Sequence, residues 1–174
     1  MALEPYRDQL PRLGRDVYIH PAATVIGDVE LGDAVSVWPR VVIRGDVNAI
    51  RIGARSNIQD GSILHVSRPN ARRPGGAPLI VGREVSVGHG VILHGCEIGD
   101  QCLVGMGCLV MDGAVLEPRV LLGAGSLVPE GRVLRSGWLH VGRPAKPVRA
   151  LAAEELDYFA TLAANYVLLA AEYR

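Results

Sequence analysis

The chain has 174 residues, enough for one domain with a sizeable core. Lysine and arginine together number 18, as do aspartate and glutamate, so the formal net charge is zero and a nucleic-acid partner held mainly by charge is excluded. Apolar residues make up 49% but aromatics only 5%, so the core must be built from Val, Ile, Leu and Ala, and 21 glycines demand many tight turns. The first ten residues are polar and charged, and no apolar run is long enough to span a bilayer. Three cysteines without secretory context predict a reduced, cytoplasmic protein with no membrane partner.

From residue 19 onward, apolar residues recur every sixth position. The runs are Ile19, Val25, Leu31, Val37, Ile43; then Ile52, Ile58, Leu64; then Val81, Val87, Leu93; then Ile98 through Val104, Val110, Leu116 and Leu122 to Val128. Small residues such as Ala23, Ser56, Ser62 and Ala114 often sit four positions later, and glycine often follows, as at Gly32, Gly53 and Gly82. A period of six fits neither an amphipathic helix nor a simple meander. Three hexads make a triangular coil of about 18 residues, with apolar side chains pointing inward and successive coils stacked as parallel strands. The fold class predicted is mainly β: a parallel β-helix, or hexapeptide-repeat prism, over residues 1–148.

The register breaks three times. Three extra residues lie between Ile43 and Ile52, an insertion RPNARRPGGAP occupies residues 68–78, and the step from Leu93 to Ile98 is one residue short. Insertions in solenoids loop outward and often line the working face. Residues 149–174 change period: Phe159, Leu162, Tyr166, Leu169 and Tyr173 follow the three-and-four spacing of an amphipathic C-terminal α-helix. It must cover the prism or a neighbouring subunit. Pro144 and Pro147 mark the boundary.

Histidines cluster around the large insertion. His65 follows core position Leu64, and His94 follows core position Leu93. These core positions are 29 apart, and removing the 11-residue insertion leaves 18, one coil. The two imidazoles therefore share a corner on adjacent coils, roughly 5 Å apart, close enough to reach one ion at Zn–N distances of about 2.0–2.1 Å. His89 lies one hexad earlier and occupies another corner. A threefold arrangement brings it to the pair on a neighbour, which predicts a homotrimer with a metal at each interface. His20 and His140 read as surface or turn residues. Cys96, Cys102 and Cys108 fall on successive corners and read as packing residues.

The segments VVIRGDVNAIRIG, NIQDGSILHV and VSVGHGVILHGCEIG resemble the γ-class carbonic anhydrase family, and the resemblance runs over essentially the whole chain. It implies a left-handed β-helix and one metal held by His65 and His94 of one subunit with His89 of the next. It also implies reversible hydration of carbon dioxide to bicarbonate by a metal-bound hydroxide at the trimer interface. The metal expected is zinc, with iron and cobalt equally suited to imidazole. By the same resemblance Arg44 and Asp60 form an intersubunit ion pair, Gln59 orients the hydroxide, and Asn57 and Asp46 support the network. Asn165 and Tyr166 resemble residues that reach toward the site, though Tyr166 also lies on the helix's packing stripe. The chain departs from the most active pattern at Val47, where some members carry glutamate. Its insertion contains Arg68, Arg72 and Arg73 and no carboxylate, so an obvious proton shuttle is missing. Two other functions fit the same chain: a trimeric metal-binding assembly protein with little hydratase activity, and a hexapeptide acyltransferase or thioesterase.

Overall fold

Each hexad supplies a strand of two or three residues, and the two-residue alternation of a strand buries one side chain and exposes the next. In a computed structural model, which describes residues 3–174, these strands stack into a parallel β-solenoid of about eight turns followed by one helix. The first two residues of the expected 1–148 repeat domain lie outside the described residues.

Three columns of inward side chains fill the prism. Val37, Ile58, Val87, Val104 and Leu122 stack on the first face. Val25, Ile43, Leu64, Leu93, Val110 and Val128 stack on the second. Leu31, Ile52, Val81, Ile98, Leu116 and Leu134 stack on the third. All are buried. Cys96, Cys102 and Cys108 are buried, unpaired corner residues, as their spacing predicts. Burial pushes the Cys102 thiol up to about 12 and that of Cys96 higher still, which fits packing rather than reactivity.

At most corners the backbone passes through the left-handed region. Two corners meet this mostly with glycine: Gly61, Gly90, Gly107 and Gly125 at one, Gly95, Gly113 and Gly131 at the other. The third corner, between the third and first faces, instead uses Ala34, Arg55, Glu84, Gln101 and Arg119 at positive φ. That costs about 1–2 kcal/mol per residue. A side-chain ladder along the edge offsets part of it. Arg55 Nε donates to Glu84 Oε1 at 3.1 Å, Gln101 Nε2 donates to Glu84 Oε2 at 2.9 Å, and Arg119 Nε donates to Gln101 Oε1 at 3.1 Å.

The irregular segments leave the prism without disturbing its register. In strand Val42–Ile52, Gly45 faces Gly27 but Ile50 faces Val29, so three extra residues bulge out next to Asp46. The large insertion is closed by a bridge between Ser67 and Ala77, and stacking resumes at Leu79–Val81.

After the last coil, Trp138–Gly142 and Ala145–Ala150 form an antiparallel hairpin. The sequence predicts only a boundary at Pro144 and Pro147. Pro147 instead lies in the edge strand, where no ladder donor is required of it. The single helix, α1 (Ala153–Glu172), packs on the first face of its own prism. It buries Phe159, Ala163 and Ala170, and its Tyr166 stands edge-on to Trp38 with ring centres 5.6 Å apart. At its end Arg174 Nη1 donates to the Asp16 carbonyl at 2.6 Å. Among the described residues no helix is long and apolar enough to cross a membrane.

One histidine reading needs correction. His140 is not a surface residue but is 2% exposed. It pairs with Leu122 and takes the next inward slot, because the six-residue phase through Val128 and Leu134 lands on it. Its Nε2 lies 3.3 Å from the Arg135 carbonyl, and among the described residues its Nδ1 has no partner. His20 is a turn residue, accepting the Ala22 N–H at 3.0 Å.

Candidate metal centre

Strands Ile63–His65 and Ile92–His94 pair in parallel with His94 opposite His65, as the coil arithmetic predicts. The buried Leu64 and Leu93 point inward, so both imidazoles emerge at the same corner. Their ring centres are 5.1 Å apart, and His65 Nδ1 faces His94 Nε2 at 3.1 Å. Two nitrogens bound to one tetrahedral zinc stand about 3.3 Å apart, given Zn–N of about 2.0–2.1 Å. The pair therefore fits a shared ion.

Each ring's other nitrogen is held by a carboxylate. His65 Nε2 lies 3.0 Å from Asp46 Oδ1, and His94 Nδ1 lies 2.5 Å from Asp112 Oδ1. The bulge in Val42–Ile52 carries Asp46 to this position, and Arg44 pairs with its other oxygen. Ser67 Oγ donates to Asp112 Oδ2 at 2.6 Å. Burial pushes both carboxyls up, but His65 and Arg44 outweigh it at Asp46, and Ser67 and His94 outweigh it at Asp112, so both lie below the ordinary value. Burial, against the pull of Asp46, holds His65 below its ordinary value and favours the neutral imidazole that a metal requires.

His89 lies at the corner between the first and second faces, where its Nδ1 is 3.0 Å from Asp60 Oδ2. All three candidate ligands thus have a carboxylate partner, the arrangement that orients metal-binding imidazoles. Gln59 Nε2 donates to Asn57 Oδ1 at 3.0 Å, and Asn57 Nδ2 donates to Ser86 Oγ at 2.9 Å, both inside the protein. Gln59, His89 and Tyr166 line a cavity of about 360 Å³ together with Leu103, Leu121 and Leu162. Asn165 is exposed.

One chain brings together Arg44, Asp46, His65 and His94, and separately Gln59, Asp60, His89 and Tyr166. Arg44 pairs with Asp46 within the chain and not with Asp60. Among the described residues, no three histidine, cysteine or carboxylate side chains form a metal-binding group within one chain. Asp112 and Ser67 escaped the sequence reading. Asp112 could have been found by the same arithmetic that paired the histidines, because it lies 18 residues after His94.

Residues 11–45 match the family model described as bacterial transferase hexapeptide (six repeats). Repeat, prism and stacked coils together define a hexapeptide-repeat protein. Protein YrdA of Escherichia coli K12 is 52% identical, over 98% of this chain and 93% of its own. A carbonic anhydrase of Geobacillus kaustophilus is 42% identical, over 94% of this chain and 86% of its own. The crystal structure of a hexapeptide transferase family protein from Anaplasma phagocytophilum superposes with a TM-score of 0.92 at 39% identity, covering 99% of this chain and 98% of that one. The chain belongs to the γ-class carbonic anhydrase-like family.

Proposed function

We propose that this protein is a metal-dependent carbonic anhydrase-like enzyme that interconverts carbon dioxide and bicarbonate at the interfaces of a homotrimer. The observation that carries the proposal is the facing pair His65 and His94, each locked by its own aspartate, with a third aspartate-held histidine, His89, on a different corner. Zinc held by His65 and His94 of one subunit and His89 of the next would supply a Lewis acid that brings the acidity of water near neutrality. Iron or cobalt would suit the same donors. The chain's own contribution is to aim the imidazoles through their aspartate partners and, at His65, to favour the neutral ring. Gln59, pinned by Asn57, presents its amide beside His89.

The second face supports association of identical copies. Its outward residues Val42, Ile63, Ile92, Leu109 and Leu127 align in one apolar stripe across adjacent coils. Ile63 and Ile92, next to the histidine pair, are 44% and 38% exposed in the single chain. A neighbour packed on this stripe removes it from water and can bring a second chain's His89 corner to the pair. Arg44 could then exchange Asp46 for a partner's Asp60. We expect Arg44→Ala to weaken the trimer, measured by sedimentation on dilution to micromolar concentration. An unchanged trimer would remove that ion pair from the proposal. The cysteines, buried and unpaired, fit a reducing compartment such as the cytoplasm.

A second reading, metal binding with little hydration, has its own support. Val47 follows Asp46, and the insertion offers Arg68, Arg72 and Arg73 where a proton acceptor would be useful. The deciding experiment is stopped-flow carbon dioxide hydration on protein of known metal content, loaded with zinc or, anaerobically, with iron. Metal-dependent turnover that disappears in His94→Ala supports the enzyme. Full metal occupancy without turnover supports the binding protein. In either case His94→Ala should lose the metal and keep its β-structure by circular dichroism, because the coils rest on the inward columns.

A further inference from the structure

We infer that Asp112 is a positioning residue for His94, and that Ser67, at the base of the insertion, holds Asp112 in place. The inference rests on the metal-binding reading above and adds to it a residue two coils beyond His65. Asp112 lies two residues after strand Leu109–Val110, one coil above His94, and among the described residues its Oδ1 is the only partner of His94 Nδ1. A carboxylate there accepts the Nδ1–H, fixes the tautomer and leaves the Nε2 lone pair facing His65. It also makes the imidazole a more basic ligand.

The surroundings are built to this carboxylate. Ser67, the first residue of the insertion bridge, donates to its second oxygen at 2.6 Å. The Arg73 guanidinium lies 3.7 Å from the same oxygen and donates to Glu130 at 2.7 Å, tying the loop to the next coils. Gly95 leaves the necessary space: a Cβ there would stand 2.7 Å from Asp112 Oδ1 and 2.6 Å from the Ala77 methyl. The base of the loop therefore reaches the metal site through a chain of hydrogen bonds, Ser67 to Asp112 to His94, although the loop supplies no ligand.

The test is a cobalt(II) titration of the assembled full-length protein, following the visible absorption of the bound ion, on wild type, Asp112→Asn and Ser67→Ala. Asparagine keeps the shape and can still accept at Oδ1, but removes the charge. We expect about 10–100-fold weaker cobalt binding with an altered band shape and a melting temperature close to wild type. Ser67→Ala should weaken binding in the same direction and by less. Wild-type affinity and band shape in a folded Asp112→Asn would overturn the inference. If that variant does not fold, Ser67→Ala decides, and unchanged binding there overturns it. A wild type that takes up no cobalt overturns the metal-binding reading itself, and this inference with it; a loss confined to His94→Ala and absent from Asp112→Asn overturns this inference alone.

Discussion

His140 occupies a slot that elsewhere in its column holds Val, Ile or Leu, and its Nδ1 has no partner among the described residues. A buried nitrogen left in this state costs about 1–3 kcal/mol. His140→Leu should therefore stabilise the protein, raising the melting temperature by roughly 2–4 °C for each kcal/mol recovered. A lower melting temperature in the leucine variant would mean that the histidine has a partner in solution. The contrast with His65 and His94 shows what single residues reveal in sequence. Coil arithmetic placed the pair because each follows a core residue and the insertion could be subtracted. The same phase continued through Val128 and Leu134 would have put His140 inside. It went unread because a polar residue at an apolar position breaks the pattern by which the slots are recognised. Asp112 was missed for a related reason: as a partner of a ligand rather than a ligand, it had no motif to draw attention to its spacing.

Helix α1 starts without a side-chain cap, since its N-cap is Ala152. Glu155 provides half of a capping box, accepting the Ala152 N–H at 2.9 Å, and Arg149 donates to both its carboxylate oxygens at 2.6 and 2.7 Å. These bonds, that from Arg149 first, hold the Glu155 carboxyl down at about 2, against an ordinary value of 4.5. A depressed carboxyl stabilises the folded state fully above its ordinary value and loses that contribution as the pH falls toward about 2. Glu155→Gln should therefore melt below wild type at pH 6, and the gap should close by pH 2. A gap independent of pH would assign the effect to packing. The helix itself was legible from its three-and-four spacing, but of the expected stripe only Phe159 is buried in the chain: Ala163 and Ala170 take the other buried places, and Leu169 and Tyr173 stay exposed. The hairpin before it was not legible, because Pro144 and Pro147 read as breakers and nothing in their neighbourhood marks an antiparallel edge strand.

At the scale of the whole molecule, the outward stripe on the second face is the surface assigned to the proposed trimer. Ile92→Asp places a charge in its middle, beside His94. We expect a monomeric or readily dissociating protein by sedimentation, with the β-structure kept, and metal binding reduced because a neighbour's His89 is no longer supplied. A stable trimer would show that association uses another face. The prism was almost wholly readable, since a six-residue period repeated this often leaves few alternatives. The meeting of the His89 corner with a neighbour's His65 and His94 corner is likewise an expectation of the sequence, drawn from the spacing of the histidines and from the family resemblance.

The stacking of coils has a further consequence. Apart from helix α1, which lies along the first face, and the insertion, whose Arg73 reaches Glu130, each coil rests on the ones above and below, so opening begins at the ends and moves inward. His65 and His94 sit on coils in the interior of the stack, with Leu64 and Leu93 among those below and above them covered on both sides. Amide hydrogen exchange should run slowest through Ile58, Leu64, Val87 and Leu93 and fastest in the terminal coils. The candidate metal centre would then remain assembled through fluctuations that fray both ends of the protein.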